Sequence, residues 1–187
     1  MNICRLAITC ILLTFSCGRG VSGPAVSDSL RARGEIRDVV RGFFLWYCAN
    51  YESVSAIHLL APAAENDKQY RLDRRGEEEY IAKVMASGFF APDFPAKIRK
   101  YLAACEKLML KSRQEEGPPE GLDLDLFFCG QEYSPTPEFV QTCEFTDLHI
   151  TGNGASVRML TTANGFCDIR LGRVRGVWKI AAICEFR

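Results

Sequence analysis

Histidine is scarce: His58 and His149 are the only two in 187 residues. H-E-x-x-H and other multi-histidine metal sites therefore cannot be built. No G-x-S-x-G elbow, G-x-x-x-x-G-K-[ST] loop or G-x-G-x-x-G fingerprint occurs, which removes the motif-borne hydrolase, phosphate-loop and dinucleotide chemistries. No two cysteines form a C-x-x-C pair, so neither a thioredoxin-like redox site nor a zinc ribbon is supported. Net charge is missing as well. Lys and Arg together number 23, as do Asp and Glu, so no overall field draws the chain to nucleic acid or to an anionic membrane. Asp123 and Asp125 start like a calcium loop, but no further ligands or glycine follow at the required spacing, and a turn-forming role suits them better. Neither a metal nor a cofactor is expected.

What is present begins with a leader. Arg5 gives a positive start, and Leu6 to Phe15 is apolar and bounded by Ser16-Cys17-Gly18. A membrane-spanning helix needs about 20 apolar residues, so this shorter run reads as a secretory signal over residues 1–20. Thr14-Phe15-Ser16 before Cys17 resembles a bacterial lipoprotein box, in which Cys17 would be lipidated. Cleavage near Gly18 or Gly20 would instead release a soluble product. The expectation is an exported protein, either secreted, periplasmic or an outer-membrane lipoprotein, that meets a membrane only through a lipid at Cys17.

Cysteine usage agrees with export. Of nine cysteines, six lie beyond the leader: Cys48, Cys105, Cys129, Cys143, Cys167 and Cys184. An even number in an exported chain predicts disulfides and leaves their connectivity open.

Residues 21–29 read as a small-residue linker, and residues 30–187 as a single domain. A helix is expected from about Leu30 to Asn50, because Ile36, Val39, Val40, Phe43, Tyr47 and Tyr51 recur at helical spacing. Arg33, Arg37 and Arg41 share a neighbouring face and read as a solvated ridge. A short helical turn is expected over 56–64, with His58 in the core. Further helices are expected over Glu77–Ser87 and from Pro95 to about Lys111, the last with Cys105 facing inward.

The period then changes. Asn153-Gly154, Asn164-Gly165 and Arg175-Gly176 are hairpin signals, because such residues tolerate positive φ. They divide the remainder into four antiparallel strands over roughly 139–152, 155–163, 166–174 and 177–186. If each turn is a two-residue loop, Val174 faces Val177 and Cys167 lies opposite Cys184, at the closer Cα spacing of about 4.5 Å. That makes Cys167–Cys184 the first expected disulfide, with Cys129–Cys143 and Cys48–Cys105 next. The same register gathers Phe145, Leu160, Ile169, Leu171, Trp178, Ile180, Ala182 and Phe186 on a helix-facing side. The other side mixes Val157, Met159, Val177 and Ile183 with Asp168, Arg170, Lys179 and Glu185.

One polar constellation stands out. Asp147, His149 and Arg158 share the apolar face in this register, with His149 opposite Arg158, and an acid, a base and a cation at a pocket mouth suit proton transfer. Their place near a hairpin tip favours a solvated or structural pairing instead. A second cluster, Phe127-Phe128-Cys129-Gly130-Gln131-Glu132-Tyr133, places Gln131, Glu132 and Tyr133 between helices and sheet, to cap a sheet edge or to meet a ligand.

Phe43-Phe44-x-Trp46-Tyr47, Cys129-x-Gln131-Glu132 and Val177-Trp178-Lys179-Ile180, in that order, resemble exported bacterial domains of unknown function. Those domains are similar to the cystatin-like, or nuclear-transport-factor-2-like, cone superfamily. The resemblance covers about residues 30–187. It implies an α+β fold with N-terminal helices packed on a curved four-stranded antiparallel meander. It implies no single activity, because cone folds host dehydratases, isomerases, ligand carriers and protein-binding modules. Trp46, Tyr47, Gln131, Glu132, Tyr133, His149 and Arg158 are the candidate binding residues. The leading expectation is a non-catalytic cell-envelope protein that binds or inhibits another protein. The alternatives are a small-ligand carrier or lyase/isomerase using Asp147, His149 and Arg158, and a structural lipoprotein.

Overall fold

The structure is a computed structural model that describes residues 24–61, 69–123, 125–128, 136–160 and 165–184. The leader with Cys17, and Cys129, Gln131, Glu132 and Tyr133, lie outside the described residues. The chain is α+β, with helices first and a four-stranded antiparallel sheet of order β1-β2-β3-β4 after them.

Helix α1 spans Pro24–Ser55. It starts inside the expected linker because a proline is well placed in a first helical turn and nothing after it breaks the helix. Of its expected stripe, Ile36, Val40, Phe43 and Tyr47 are buried and Val39 and Tyr51 partly so, and Phe44 and Val54 join the core. Of the expected helical turn over 56–64, only 56–61 are described, and they are not helical. Leu60 instead bridges Leu72, and the Ala61 amide donates to the Arg71 carbonyl at 2.9 Å. His58 is exposed rather than a core residue.

Helix α2 (Arg74–Ala86) begins at Asp73, whose carboxylate accepts from the Arg75 amide at 2.9 Å. Helix α3 (Phe94–Ser112) buries Phe94, Ile98, Leu102, Cys105 and Met109. A bidentate Arg99–Glu78 pair joins the two helices on their exposed side. Residues 139–142, expected as the start of a strand, belong to the short helix α4 (Pro137–Thr142), because Thr136 accepts from the Phe139 amide and Pro137 starts the turn.

The strands are β1 (Phe145–Thr151), β2 (Gly154–Leu160), β3 (Phe166–Val174) and β4 (Val177–Ile183). Their registers depart from expectation in three places. The first hairpin turns at Gly152-Asn153, with Thr151 paired to Gly154 and φ of +58° at Gly152. Between β2 and β3 the pairing starts at Leu160 and Phe166, which requires a longer loop than two residues. The resulting shift is odd, so it exchanges faces. Val157 and Met159 therefore pair with Ile169 and Cys167 in the core, and Leu160 gives up its expected place there. In the last hairpin Val174 does face Val177 and Leu171 faces Ile180, but Arg170 then faces Ala182, leaving Ala181 as a bulge. Lys97 Nζ donates to the Ala181 carbonyl at 2.5 Å. Beyond the bulge Ile183 turns inward, opposite Ile169.

The helices cover the face formed by Ala155, Val157, Met159, Ile169, Leu171 and Ile180. Phe43 is the centre of an aromatic cluster, with ring centroids 4.7 Å from Phe90 and 5.0 Å from Phe127. Phe89 and Ala91 pair with Ile180, which covers the β4 edge.

Among the described residues neither Cys48–Cys105 nor Cys167–Cys184 is bonded, and Cys129 of the third expected pair lies outside them. Cys48, Cys105, Cys143 and Cys167 carry no disulfide. Cys105 is packed inside α3 and Cys48 sits half-buried on α1, while the Cys143 thiol donates to the Val140 carbonyl at 3.1 Å. Cys167 and Cys184 do meet in the core, but their sulfurs are 2.7 Å apart, longer than the ~2.05 Å of a covalent bond. The Ala181 bulge puts Cys184 opposite Asp168, with its amide donating to the Asp168 carbonyl at 3.0 Å. Its φ of +46° accompanies a side chain that is buried beside Cys167.

Candidate functional site

The solvent face of the sheet carries the densest polar cluster. Arg158 on β2 and Asp168 on β3 are register partners, so both side chains leave the same face. The guanidinium donates twice to the carboxylate, at 2.8 and 3.2 Å. A third contact, 3.6 Å, reaches Asp147 Oδ2. Asp147 arrives there because the β1 ladder is interrupted between Thr146 and His149 and its own φ is +50°. The ring of Phe166 lies under the guanidinium, 3.9 Å from centroid to Cζ. The hydrogen bonds to Asp168 raise the Arg158 pKa further, and the Asp168 and Asp147 charges add to this.

This arrangement corrects the expected triad. Asp147, His149 and Arg158 do line one groove, of about 360 Å³, but on the solvent face rather than the helix face. His149 stands opposite Ser156, not Arg158, and its ring has no hydrogen-bond partner among the described residues. Arg158 is neutralised by two carboxylates, and a guanidinium stays protonated at all ordinary pH. The cluster is therefore a fixed charge array, and the groove does not bring an oriented base to a polarised acid. Lys179, expected on this face, donates to the Gly88 carbonyl. Arg170 is exposed and adjoins the groove.

Trp46 and Tyr47 are not part of that groove. Trp46 is half-buried on α1 and stacks on Phe43 at 6.2 Å. Tyr47 opens onto a second cavity, of about 300 Å³, between α1, α2 and the segment holding Leu122, Asp123, Asp125 and Leu126. Its hydroxyl donates to Asp125 Oδ2 at 2.8 Å. The other carboxylate oxygen accepts from the amides of Phe127 and Phe128, at 2.9 and 2.8 Å. Asp125 thus forms the tight turn expected of it and delivers two phenylalanines to the core. Burial, and then the Asp125 charge, push the Tyr47 hydroxyl far above its ordinary pKa.

Tyr80 and the linking role of Asp125 had no sequence signal of their own. Tyr80 sits on an amphipathic stretch like any core residue, and Asp125 lies in a polar segment far from α1 in sequence. Among the described residues no group of three or more His, Cys, Asp or Glu is placed to hold a metal, and no helix is long and apolar enough to cross a membrane.

No family model, curated protein or solved structure matches the chain.

Proposed function

We propose that this is an exported cell-envelope binding protein that engages a protein partner through the solvent face of its sheet. The observation that carries this reading is the Arg158–Asp168–Asp147 array over Phe166. Its side chains are already oriented, so binding loses less side-chain freedom there than on an ordinary charged surface. Arg170, beside the array, supplies a positive charge for a partner carboxylate, and the exposed part of Phe166 supplies apolar area. Such an array sets specificity and association rate by complementarity of charge.

Export and a periplasmic or outer-membrane place rest on the composition of the leader, and lipidation rests on Cys17 within it. The kinship to cystatin-like cones is part of the same proposal and is supported by the order of helices before meander. Catalysis by Asp147, His149 and Arg158 is the weaker reading, since Arg158 is neutralised and His149 has no orienting partner among the described residues.

The test compares partner capture by the wild-type chain with capture by Arg170→Glu and Asp168→Lys, each checked for unchanged thermal stability. Either charge reversal should weaken the complex by about tenfold or more and reduce its salt dependence, while His149→Ala leaves it intact. Equal capture by all the variants would overturn the reading. So would an activity that His149→Ala abolishes without loss of stability.

A further inference from the structure

We infer that the cavity between α1, α2 and the Leu122/Leu126 segment binds a quaternary ammonium group, with tyrosine rings as its walls and Asp125 as its counter-charge. This goes beyond the sheet-face reading and does not depend on it. The volume of about 300 Å³ is at the lower end of small-ligand sites, so a trimethylammonium head on a short tail suits it. Tyr47, Tyr51 and Tyr80 line it together with Asp123 and Asp125. Among the described lining residues none is lysine, arginine or histidine. An anion is therefore opposed there and a cation favoured.

The rings and the charge act on the same space. Tyr47 and Tyr51 have centroids 5.7 Å apart and planes at 85°, so the wall turns a corner around a rounded ligand. Tyrosine rings attract a cation through their π-faces, most strongly where water is excluded. Asp125 is part-buried, and its three donors, the Tyr47 hydroxyl and the Phe127 and Phe128 amides, are all neutral. None of them cancels its charge. After burial, that charge is the next cause holding the Tyr47 and Tyr80 hydroxyls above their ordinary pKa, so its field reaches both rings. The same three bonds occupy most of the carboxylate's lone pairs, of which there are about four. Asp125 thus offers field rather than ligation. A metal ion demands oxygen ligands and a primary ammonium demands acceptors. A quaternary ammonium has no N–H and needs only charge and ring faces.

The probe is choline chloride, titrated by calorimetry into the intact chain beside its neutral carbon isostere, dimethylbutanol, and the primary amine ethanolamine. Choline should saturate one site and bind about tenfold or more tighter than either. Tyr51→Leu should weaken it about tenfold, and Tyr51→Phe, which keeps the ring, should leave it near wild type. Asp125→Asn keeps an oxygen for the two amides and removes the charge, so it too should weaken choline about tenfold. Asp168→Lys on the sheet face should leave choline binding unchanged. Co-sedimentation with phosphatidylcholine vesicles that choline displaces would assign the group to a lipid headgroup. Choline binding without co-sedimentation would assign it to a free molecule, and both results uphold the site. Absence of saturable choline binding would overturn the inference, as would equal affinity for the isostere or for ethanolamine. Unchanged affinity in either Tyr51→Leu or Asp125→Asn would overturn it too. Weakening by Asp168→Lys would also overturn it and would place the cation in the sheet groove instead.

Discussion

Asp125→Ala removes one carboxylate that three donors share. Two of these are the amides of Phe127 and Phe128, at 2.9 and 2.8 Å, and the third is the Tyr47 hydroxyl, at 2.8 Å. Tyr47, Phe127 and Phe128 are all buried, so the stranded donors regain little water. A hydrogen bond to a charged group contributes about 1.5–3 kcal/mol, and three on one carboxylate are not additive. A loss of about 4 kcal/mol is expected, or roughly 8–16 °C in melting temperature for a domain of this size. Asp125→Asn keeps an oxygen for the two amides and can donate to the tyrosine oxygen, so it should lose only about 1–2 kcal/mol. Tyr47→Phe should lose about 1–2 kcal/mol, and the double variant Asp125→Ala/Tyr47→Phe should lose less than the sum. Urea unfolding followed by the fluorescence of Trp46 and Trp178 measures all four. A loss below about 1 kcal/mol for Asp125→Ala, or strict additivity with Tyr47→Phe, would refute the claim that this carboxylate fixes the turn.

Three further outcomes can be checked. Tyr47 and Tyr80 both have pKa values raised from an unfolded value of 10.0, so their contribution is complete below that pH and is lost as pH rises above it. Stability should therefore fall with alkalinity beyond pH 10, and the slope should be shallower in Tyr47→Phe; an identical slope would show that Tyr47 does not titrate with unfolding. The Cys48 thiol is pushed up to about 11, chiefly by burial, so its thiolate fraction at pH 8 is on the order of 100-fold below that of a free cysteine. Mass-resolved alkylation should find it slow in the folded protein and ordinary in urea. Gly121 has φ of +80°, and a Cβ there would come 2.7 Å from Cys105 Sγ, so Gly121→Ala should lose about 1–3 kcal/mol. Cys105→Ala should restore part of that loss, and no restoration would mean that the backbone angle alone is responsible.

Local patterns were readable wherever one element was sufficient to define them. The stripe on α1 predicted Ile36, Val40, Phe43 and Tyr47 as core because helical spacing fixes a face without reference to any partner. Cys105 followed by the same rule. The Arg175-Gly176 turn set Val174 against Val177, since positive φ is available at both positions, +52° and +83°. The failures share a cause. Asn153-Gly154 and Gly152-Asn153 serve a turn equally well, and only cross-strand packing chooses between them. Asn164-Gly165 implies a two-residue β2–β3 loop, whereas the pairing of Leu160 with Phe166 is offset from it by an odd number and turns Val157 and Met159 into the core.

Period and capping thus determined from sequence alone that helices precede an antiparallel meander, and which side chains each helix buries. The tertiary structure decided which sheet face is charged, because register depends on bulges at Asp147 and Ala181 that yield to packing and not to turn preference. It also decided that Tyr47, Tyr80 and Asp125 surround one cavity. Their meeting requires three elements distant in the chain to close on each other, and no local spacing encodes that distance.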